Sequence, residues 1–348
     1  MPRPKKLAPR PSITIAVDAM GGDYAPHEIV KGALEASKEY NVNVALVGRQ
    51  DAIMEEVKRL KIAKEAFFYI IDCSQVIGFC ESPMQAIKDK PDSSIVQGIN
   101  LLKRGEASAF VSAGHTGAVV CAALFDLGLE EGIERPAIGT LLPTATGRVL
   151  LVDAGANVDC RAPFLVQFAQ MGSKYMQRVM RLPSPRVGLL SNGEEESKGN
   201  KLVREAHLLL KDCGVNFIGN LEGKDLPRGL ADIVVTDGFT GNVVLKTTEG
   251  FAEMLTLALQ HSINGHGHFK KATEFMKSVV EAMVKKVDYN ETGGAPLLGV
   301  KGNVIIAHGR SHAKAMRSAI RLAKQTVAPD SIEAKAQPPR AKRTKNHK

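Results

Sequence analysis

The sequence contains no tryptophan, and only 5% of its 348 residues are aromatic. Its five cysteines are odd in number and include no C-x-x-C pair, which argues against a disulfide framework or a zinc site. No run reaches the roughly 18 uncharged apolar residues that a membrane-spanning helix needs. The N-terminal segment also lacks the apolar core of a signal peptide. We therefore predict a cytoplasmic protein with reduced cysteines.

Two common nucleotide-binding motifs are missing as well. The glycine-rich residues 112–117 match neither G-x-x-x-x-G-K-[ST] nor G-x-G-x-x-G, which disfavours ATP and NAD. Asp153, Asn157 and Asp159 resemble a calcium loop only loosely, because its glycine and later glutamate are absent. His261, His266 and His268 have no cysteine or carboxylate partner nearby in sequence. We expect neither a metal nor a cofactor.

The excess of positive charge is confined to the two ends of the chain. The formal net charge is +9, and residues 1–12 and 331–348 contribute +4 and +5 of it. Residues 13–330 are therefore formally neutral, so the high pI does not predict a nucleic-acid partner. We expect two disordered basic tails at 1–12 and 331–348. The whole chain is 44% hydrophobic, which is enough for a buried core. We therefore expect residues 13–330 to form a catalytic α/β domain.

Short apolar runs alternate with helical patterns along most of the chain. The runs are nearly continuous in Val, Ile and Leu, as in strands covered on both faces, and they predict a mainly parallel sheet between helical layers, an αβα arrangement. Residues 243–287 break the alternation and predict a protruding helical hairpin. The predicted strands are residues 13–17, 43–47, 67–71, 109–112, 149–152, 187–190, 217–218, 233–236 and 304–307.

Five of these strands stop at Asp or Ser, pass through glycine, and reopen as a helical pattern. Such a turn directs backbone N–H groups outward at the positive end of a helix dipole, which suits an anion. In an α/β sheet these turns lie along the carboxyl edge, so we expect one phosphate-binding crevice. The five junctions are Asp18-Ala-Met-Gly-Gly-Asp23, Ser112-Ala-Gly-His-Thr-Gly117, Asp153-Ala-Gly-Ala-Asn-Val-Asp159, Ser191-Asn-Gly-Glu194 and Asp237-Gly-Phe-Thr-Gly-Asn242.

Two of the junctions carry the residues best suited to chemistry. Near Asp237, a helix should place Asn242 and Lys246 one turn apart, unless Thr240 or Asn242 simply caps that helix beside a surface lysine. His115 is either a general base or a local hydrogen-bonding residue. The predicted catalytic residues are Asp237, Asn242 and Lys246; the predicted phosphate-binding residues are Ser112, Gly114, His115, Thr116 and Gly117; the supporting residues are Asp18, Gly21, Gly22, Asp23, Asp153, Asn157 and Thr240.

The junctions also carry a family resemblance. Together with Lys90-Pro-Asp-Ser-Ser94, Gly188-Leu-Leu-Ser-Asn-Gly-Glu-Glu195 and Gly293-Gly-Ala-Pro-Leu-Leu-Gly299, they resemble the acyl-ACP:phosphate acyltransferases, the PlsX family of bacterial phospholipid synthesis. The resemblance spans residues 13 to about 325. Two positions depart from the family pattern: His115 stands where Asn is usual, and Arg310-Ser-His312 where Ser-Ser-Asn is usual.

The resemblance implies a homodimer with a fold like that of isocitrate and isopropylmalate dehydrogenases. It implies transfer of a long acyl chain from acyl carrier protein to inorganic phosphate, after which a membrane acyltransferase passes the acyl phosphate to glycerol 3-phosphate. Phosphate is nucleophilic near neutral pH and a thiolate leaves readily, so this chemistry needs neither a covalent Ser or Cys nor a metal. It needs anion-binding N–H groups, a cation and oxyanion donors.

Partners and alternatives follow from the same comparison. The acidic carrier should dock on a basic surface. The candidate residues are Lys174, Arg178, Arg181, Arg186, and on the hairpin Lys270, Lys271 and Lys277. The alternative is that these are ordinary solvated surface charges. The apolar face of the hairpin could contact the second subunit or, peripherally, the bilayer. Competing hypotheses are phosphotransacetylase-like transfer from acyl-CoA, an NAD-dependent decarboxylating dehydrogenase, and a non-catalytic basic scaffold.

Overall fold

The computed structural model describes residues 11–264 and 293–327, which form two compact units. Unit 1 contains residues 11–129, 293–294 and 300–327, and unit 2 contains residues 130–264 and 295–299. The predicted tails, apart from residues 11–12, lie outside the described residues. The second half of the predicted hairpin, with its lysines and with His266 and His268, also lies outside them.

Strands and helices alternate along both units. Up to residue 129 the elements are β1 (Thr14–Asp18), α1 (His27–Tyr40), β2 (Asn43–Gly48), α2 (Gln50–Arg59), β3 (Phe68–Asp72), α3 (Pro83–Asp89), α4 (Ser94–Lys103), β4 (Ala109–Ser112) and α5 (Thr116–Ala122). They continue as β5 (Ala137–Thr144), β6 (Gly147–Val152), α6 (Ala162–Met180), β7 (Arg186–Leu190), α7 (Lys201–Lys211), β8 (Asn216–Leu221), β9 (Ile233–Val235) and α8 (Gly238–Asn264). The last elements are β10 (Ala295–Leu298), β11 (Val304–Ile306) and α9 (Ala313–Val327).

The sheet of unit 1 has five strands in the order β3-β2-β1-β4-β11, and all its pairs are parallel. Ile15 and Val17 of β1 face the core formed with α1 and α9. On the opposite face, Phe110 of β4 packs against Gly98 of α4. Because both faces are covered, the strands are apolar at consecutive positions, as the sequence indicated.

The sheet of unit 2 has the order β10-β5-β6-β9-β7-β8. Strand β5 runs antiparallel to both of its neighbours, and the other pairs are parallel. Helices α6 and α7 cover one face through residues such as Phe168 and Leu210, while Val244 and Leu245 of α8 pack on the other. The predicted α/β class with a mainly parallel sheet is confirmed.

Two strands and one boundary differ from the sequence prediction. Strands β5 and β10 were not predicted, because neither leads into a helix and neither fits the strand-to-helix rhythm. The long helix α8 begins at Gly238, five residues before the predicted start of the hairpin, because Asp237 caps it. Among residues 11–264 and 293–327, no helix combines the length and the apolar character required to cross a bilayer.

Candidate functional site

The five predicted junctions are divided between the two units. The Asp18 and Ser112 junctions belong to unit 1; the Asp153, Ser191 and Asp237 junctions belong to unit 2. A crevice shared by all five stays a prediction. The Ser191 junction contributes none of the predicted site residues.

In unit 1, a buried carboxylate links two neighbouring strand ends. Strands β1 and β4 are adjacent and parallel, so Asp18 and Ser112 end side by side. Both are buried, and Ser112 Oγ donates a hydrogen bond to Asp18 Oδ2 at 2.7 Å. Ser112 Oγ in turn accepts from Gly114 N at 3.0 Å, and Asp18 Oδ1 accepts from Met20 N at 3.1 Å. Asp18 therefore holds both turns.

The two turns contact each other at glycine residues, where no side chain separates the two backbones. A Cβ placed on Gly21 would lie 2.6 Å from Gly114 N, and one placed on Gly114 would lie 2.9 Å from Asp18 Oδ2. Gly22 has a φ of +109°, a conformation that disfavours side chains. All three glycines are therefore required by close approach or by conformation.

Burial raises the pKa of Asp18, and hydrogen bonds from the side chains of Ser94 and Ser112 oppose the rise. Ser94 opens α4 and is also buried. It was not among the predicted site residues, although its segment was part of the family resemblance. Asp18 is buried and accepts hydrogen bonds through both of its oxygens. Its contacts are therefore with the protein's own loops, whose conformation it stabilises.

The predicted phosphate cradle separates into enclosed and exposed residues. Ser112 is buried, and its hydroxyl donates its hydrogen bond to Asp18. Gly117 packs against Pro83, because a Cβ there would lie 2.7 Å from Pro83 Cγ. Thr116 opens α5 with its side chain exposed. Of the hydroxyls in this loop, that of Thr116 is accessible to a ligand.

His115 is a local hydrogen-bonding residue in this structure. Its Nε2 lies 3.0 Å from the carbonyl oxygen of Glu81, so Nε2 carries the proton. Its Nδ1 accepts from Ala118 N at 3.4 Å and caps α5. Both ring nitrogens are therefore engaged, which favours the second of the two predicted roles over general base catalysis.

In unit 2, a second buried carboxylate organises the loop after β6. Asp153 Oδ1 accepts from the N–H groups of Ile138, Gly155 and Ala156 at 2.9 to 3.1 Å. Its Oδ2 accepts from Asn157 N at 2.7 Å, from Asn157 Nδ2 at 2.9 Å and from Ala156 N at 3.1 Å. Burial raises the pKa of Asp153, and these hydrogen bonds oppose the rise.

With these donors, Asp153 has no lone pair left for a metal ion. Within the described ranges, one group of three acidic side chains has metal-ligand spacing, formed by Glu194, Glu222 and Asp225. Lys224 already pairs with Glu222, and Arg228 pairs with Asp225 at 3.2 Å. The arrangement is that of ordinary ion pairs around a capped turn.

The loop after β6 is locked to the start of α8. Gly238 N donates to the carbonyl oxygen of Asn157 at 2.7 Å, and Asn157 Nδ2 donates to Pro136 O at 2.8 Å. A Cβ on Gly238 would lie 2.8 Å from Asp153 Oδ2. Asn157 is therefore a structural link between the two junctions.

Asp237 caps α8. Its Oδ1 accepts from Thr240 N and its Oδ2 accepts from Thr240 Oγ1, both at 2.8 Å. The sequence alternative had placed the cap at Thr240 or Asn242; the structure places it at Asp237, with Thr240 as the donor. Both carboxylate oxygens are thus occupied within the first turn of the helix.

Asn242 and Lys246 follow on the exposed side of α8. The Asn242 side chain lies close to Gly155, whose φ of +138° disfavours a side chain at that position. Lys246 Nζ lies 2.9 Å from Glu249 Oε2. The structure therefore brings the predicted amide and cation together on one helix, next to the Asp153 loop.

The cysteines nearest these junctions are not nucleophiles at neutral pH. Burial raises the pKa of Cys160 to about 11, and burial with neighbouring aspartates raises that of Cys73 to about 12. The reactive form of cysteine is the thiolate. Both side chains are therefore protonated thiols, which disfavours an acyl-cysteine intermediate.

Sequence reasoning predicted strand β11 but did not include the loop after it among the junctions. The loop at residues 307–312 follows an apolar strand, contains Gly309, and opens α9, so it has the same design as the five junctions. Asp23 N donates to Gly309 O at 2.8 Å, which places this loop beside the Asp18 junction. The exposed Arg310 lies in it. The same pattern of strand, glycine and helix could have identified it.

Comparisons with known proteins agree with this architecture. The model of a family described as fatty acid synthesis protein matches residues 13–334. The phosphate acyltransferase of Dehalococcoides mccartyi is 49% identical over 316 residues, 90% of each chain, and that of Pelotomaculum thermopropionicum is 48% identical over 313 residues, covering 90% of this chain and 91% of its own.

Solved structures show the same fold at low sequence identity. A phosphotransacetylase from Streptococcus pyogenes aligns with a TM-score of 0.63 at 19% identity, covering 90% of this chain and 94% of its own. A 4-hydroxythreonine-4-phosphate dehydrogenase from Klebsiella pneumoniae aligns with a TM-score of 0.54 at 15% identity, covering 91% and 100%. At such identities the similarity concerns the fold alone.

The hydrogen bonds of Asp153 predict the effect of an isosteric change. Asp153→Asn replaces an acceptor with an NH₂ group that faces other donors, so it should destabilise unit 2 by about 2–4 kcal/mol. Asp159→Asn, at an exposed position of the same loop, should change stability by less than about 0.5 kcal/mol. Urea unfolding followed by circular dichroism measures both. Equal midpoints for the two variants would contradict the anchoring role.

Proposed function

The chain belongs to the fatty acid synthesis protein family, and from this premise we propose its donor, residue roles and partners. Relatives about half identical in sequence over nine-tenths of both chains are phosphate acyltransferases, so this chain is an acyltransferase that uses phosphate. We propose that its donor is a long-chain acyl thioester of acyl carrier protein. The observation that carries this function is the sequence identity of about half over nine-tenths of both chains.

The proposed reaction is a direct transfer. An oxygen of inorganic phosphate attacks the thioester carbonyl, a tetrahedral intermediate forms, and the carbon–sulfur bond breaks. The sulfur leaves as a thiolate and takes up a proton, and the products are an acyl phosphate and the free carrier. Direct attack is supported by the raised pKa of Cys160, because burial disfavours the thiolate that would have to accept the acyl group first.

In unit 1, we assign phosphate binding to the turn after β4. The hydroxyl of Thr116 is exposed, and the N–H groups of Thr116 and Gly117 have no acceptor inside α5, whereas that of Ala118 donates to His115. Gly114 lets the backbone approach closely. Ser112 and Asp18 act through this turn by fixing its conformation, because their own polar atoms are engaged with each other.

In unit 2, we assign charge stabilisation to the first two turns of α8. The amide of Asn242 and the ammonium of Lys246 are exposed there, and both can stabilise the negative charge that develops on the thioester oxygen. Asp237 is assigned a positioning role rather than proton transfer, since Thr240 occupies both of its oxygens. Lys246 can exchange its contact with Glu249 for the substrate, because that pair is partly exposed.

The carrier protein should dock on part of the predicted basic surface. Lys174 and Arg178 are exposed and lie one turn apart on α6, and the exposed Arg181 follows at its end. Arg186 is different, because its guanidinium pairs with the buried Asp232 at 3.1 Å and 3.2 Å. We therefore limit the described docking surface to the α6 residues.

The exposed apolar side of α8 supports a homodimer. Large apolar side chains recur along this side at helical spacing, and Phe251 is 65% exposed. A helix face of this kind is more stable when it is covered by another apolar surface. The residues of this face are Phe251, Met254 and Leu257, which follow the turns that carry Asn242 and Lys246.

We propose that the acyl phosphate is then consumed at the membrane. An acyl phosphate is a mixed anhydride whose long acyl chain partitions into lipid, so a membrane acyltransferase acting on glycerol 3-phosphate is a suitable consumer. The product of that step would be lysophosphatidic acid. A peripheral contact of this chain with the bilayer would shorten the transfer between the two enzymes.

The donor is tested by incubating the protein with labelled phosphate and either palmitoyl carrier protein or palmitoyl-CoA. We expect a hydroxylamine-sensitive labelled product, formed faster from the carrier protein at equal donor concentration because the α6 charges attract an acidic protein. Faster product formation from acyl-CoA would favour the phosphotransacetylase-like alternative. An acyl group found on Cys160 by mass spectrometry of the quenched enzyme would contradict direct transfer.

The role of Lys246 is tested by replacement with alanine. Lys246→Ala should lower kcat by about 10²-fold, because one charge donor to the transition state is lost. Lys211→Ala is a matched control, since Lys211 is also a partly exposed lysine of unit 2 that pairs with a glutamate. Near-normal turnover of Lys246→Ala on the acyl carrier protein would refute the assignment.

The dimer is tested by light scattering of the wild-type chain and of two glutamate variants. The wild type should elute with about twice the chain mass, and Leu257→Glu should shift it towards the monomer because a charge enters the apolar face. Leu208→Glu, at an equally exposed leucine of α7, should stay dimeric. A monomeric wild type whose flotation on phospholipid vesicles is lost in Leu257→Glu would assign this face to the bilayer instead.

A further inference from the structure

The end of β11 lies level with the end of β4 in the sheet of unit 1. The two strands are parallel, with Ile306 opposite Ser112. Ala307 N donates to Ser112 O at 2.8 Å, so the loop that follows β11 begins beside the predicted phosphate turn. This loop, residues 307–312, is called the β11 loop below.

The β11 loop also contacts the junction after β1. Gly309 O accepts from Asp23 N at 2.8 Å, and a Cβ on Gly22 would lie 3.1 Å from the same oxygen. Strands β1, β4 and β11 are consecutive neighbours in the sheet order. Their three loops therefore form one continuous surface at the carboxyl edge of unit 1, where α/β folds bind ligands.

Two of these three loops have no cation. Residues 18–23 and 112–117 include Asp18 and Asp23 but no lysine or arginine. Lys90, on the neighbouring segment, is already bound to Glu81 and to Val76 O. A phosphate carries one to two negative charges at neutral pH, so a cation close to this surface would strengthen its binding.

The β11 loop supplies that cation through Arg310. Its side chain is exposed, and its guanidinium makes no ion pair with any residue in 11–264 or 293–327. The backbone N–H of Arg310 donates to His308 Nδ1 at 3.0 Å, which fixes the turn that carries it. A planar guanidinium can donate two parallel hydrogen bonds to phosphate oxygens.

Ser311, next to Arg310 in the β11 loop, has a buried hydroxyl that is open to a further hydrogen bond. The residue is 1% exposed, and its hydroxyl has no hydrogen-bond partner among the described residues. Buried polar groups in folded proteins nearly always have a partner, and an unpaired one is costly. An acceptor oxygen supplied by a bound ligand would satisfy it.

We propose that the β11 loop is the cationic part of a phosphate site, in which Arg310 binds phosphate oxygens and the Ser311 hydroxyl donates to the same group. This inference rests on the proposed function for the source of the group. The phosphate is either the inorganic substrate or the phosphodiester of the pantetheine arm on the acyl donor. Both sources share the chemistry that Arg310 recognises.

The test compares Arg310→Gln with Lys314→Gln, which removes an exposed cation four residues further along. KM is measured for phosphate and for two donors: an acyl carrier protein and an acyl thioester of N-acetylcysteamine, which contains no phosphate. Arg310→Gln should raise the KM for phosphate about 10- to 100-fold with both donors, as expected for loss of charge-assisted hydrogen bonds. Arg310→Lys should recover part of this loss.

The two phosphate sources give different results. If Arg310 binds the pantetheine arm, only the KM for the carrier donor rises, and the effect disappears with N-acetylcysteamine. If neither KM differs from that of Lys314→Gln, the inference is wrong. Ser311→Ala should raise the same KM without lowering Tm, since its hydroxyl has no partner to lose within the described chain; a lower Tm with an unchanged KM would show a purely structural serine.

Two different measurements distinguish failure of the proposed function from failure of the Arg310 site. A wild-type chain that forms no acyl phosphate would refute the function, whereas calorimetric titration with inorganic phosphate requires no turnover. Wild-type phosphate binding that is weakened in Arg310→Gln would then still support the site. Binding that is equal in the wild type and Arg310→Gln would refute it.

Discussion

The structure depends on buried carboxylates at the ends of parallel strands. Asp18 and Asp153 each end a strand region inside the protein, where an unpaired carboxylate would be costly. Donors from the chain itself satisfy both carboxylates. Asp18 accepts hydrogen bonds from Ser112, from Ser94 and from the backbone after β1. Asp153 accepts them from the turn that ends at Asn157. The shape of each loop is therefore set by the need to satisfy one carboxylate.

Loops folded this tightly bring two backbones into contact, so glycine is required at the contact. Gly21 meets Gly114, and Gly238 meets Asn157, at distances that leave no room for a Cβ. The exposed side chains at these loops include Thr116 and Arg310 in unit 1, and Asn242 and Lys246 in unit 2. These hydroxyl, amide and cationic groups suit an oxyanion, and the enclosed carboxylates serve to position them.

Much of this could be predicted from local sequence. Near-continuous apolar runs identified most parallel strands, and glycine after Asp or Ser identified the junctions. The roles of single residues were harder to predict, because Asp237 could equally cap a helix or face a substrate, and His115 could be a base or a cap. The choice depended on where Thr240, Ala118 and Glu81 lie in space.

The sequence by itself determined the α/β class, the positions of the strand ends and the family, because each depends on residues close together in the chain or on extended identity. Tertiary structure alone decided that β11 lies beside β4, although nearly 200 residues separate Arg310 from Ser112 in sequence. It also decided that Ser112 faces Asp18 rather than a ligand. Such pairings depend on sheet order and on which polar groups share a buried space, and neither is a property of any single segment.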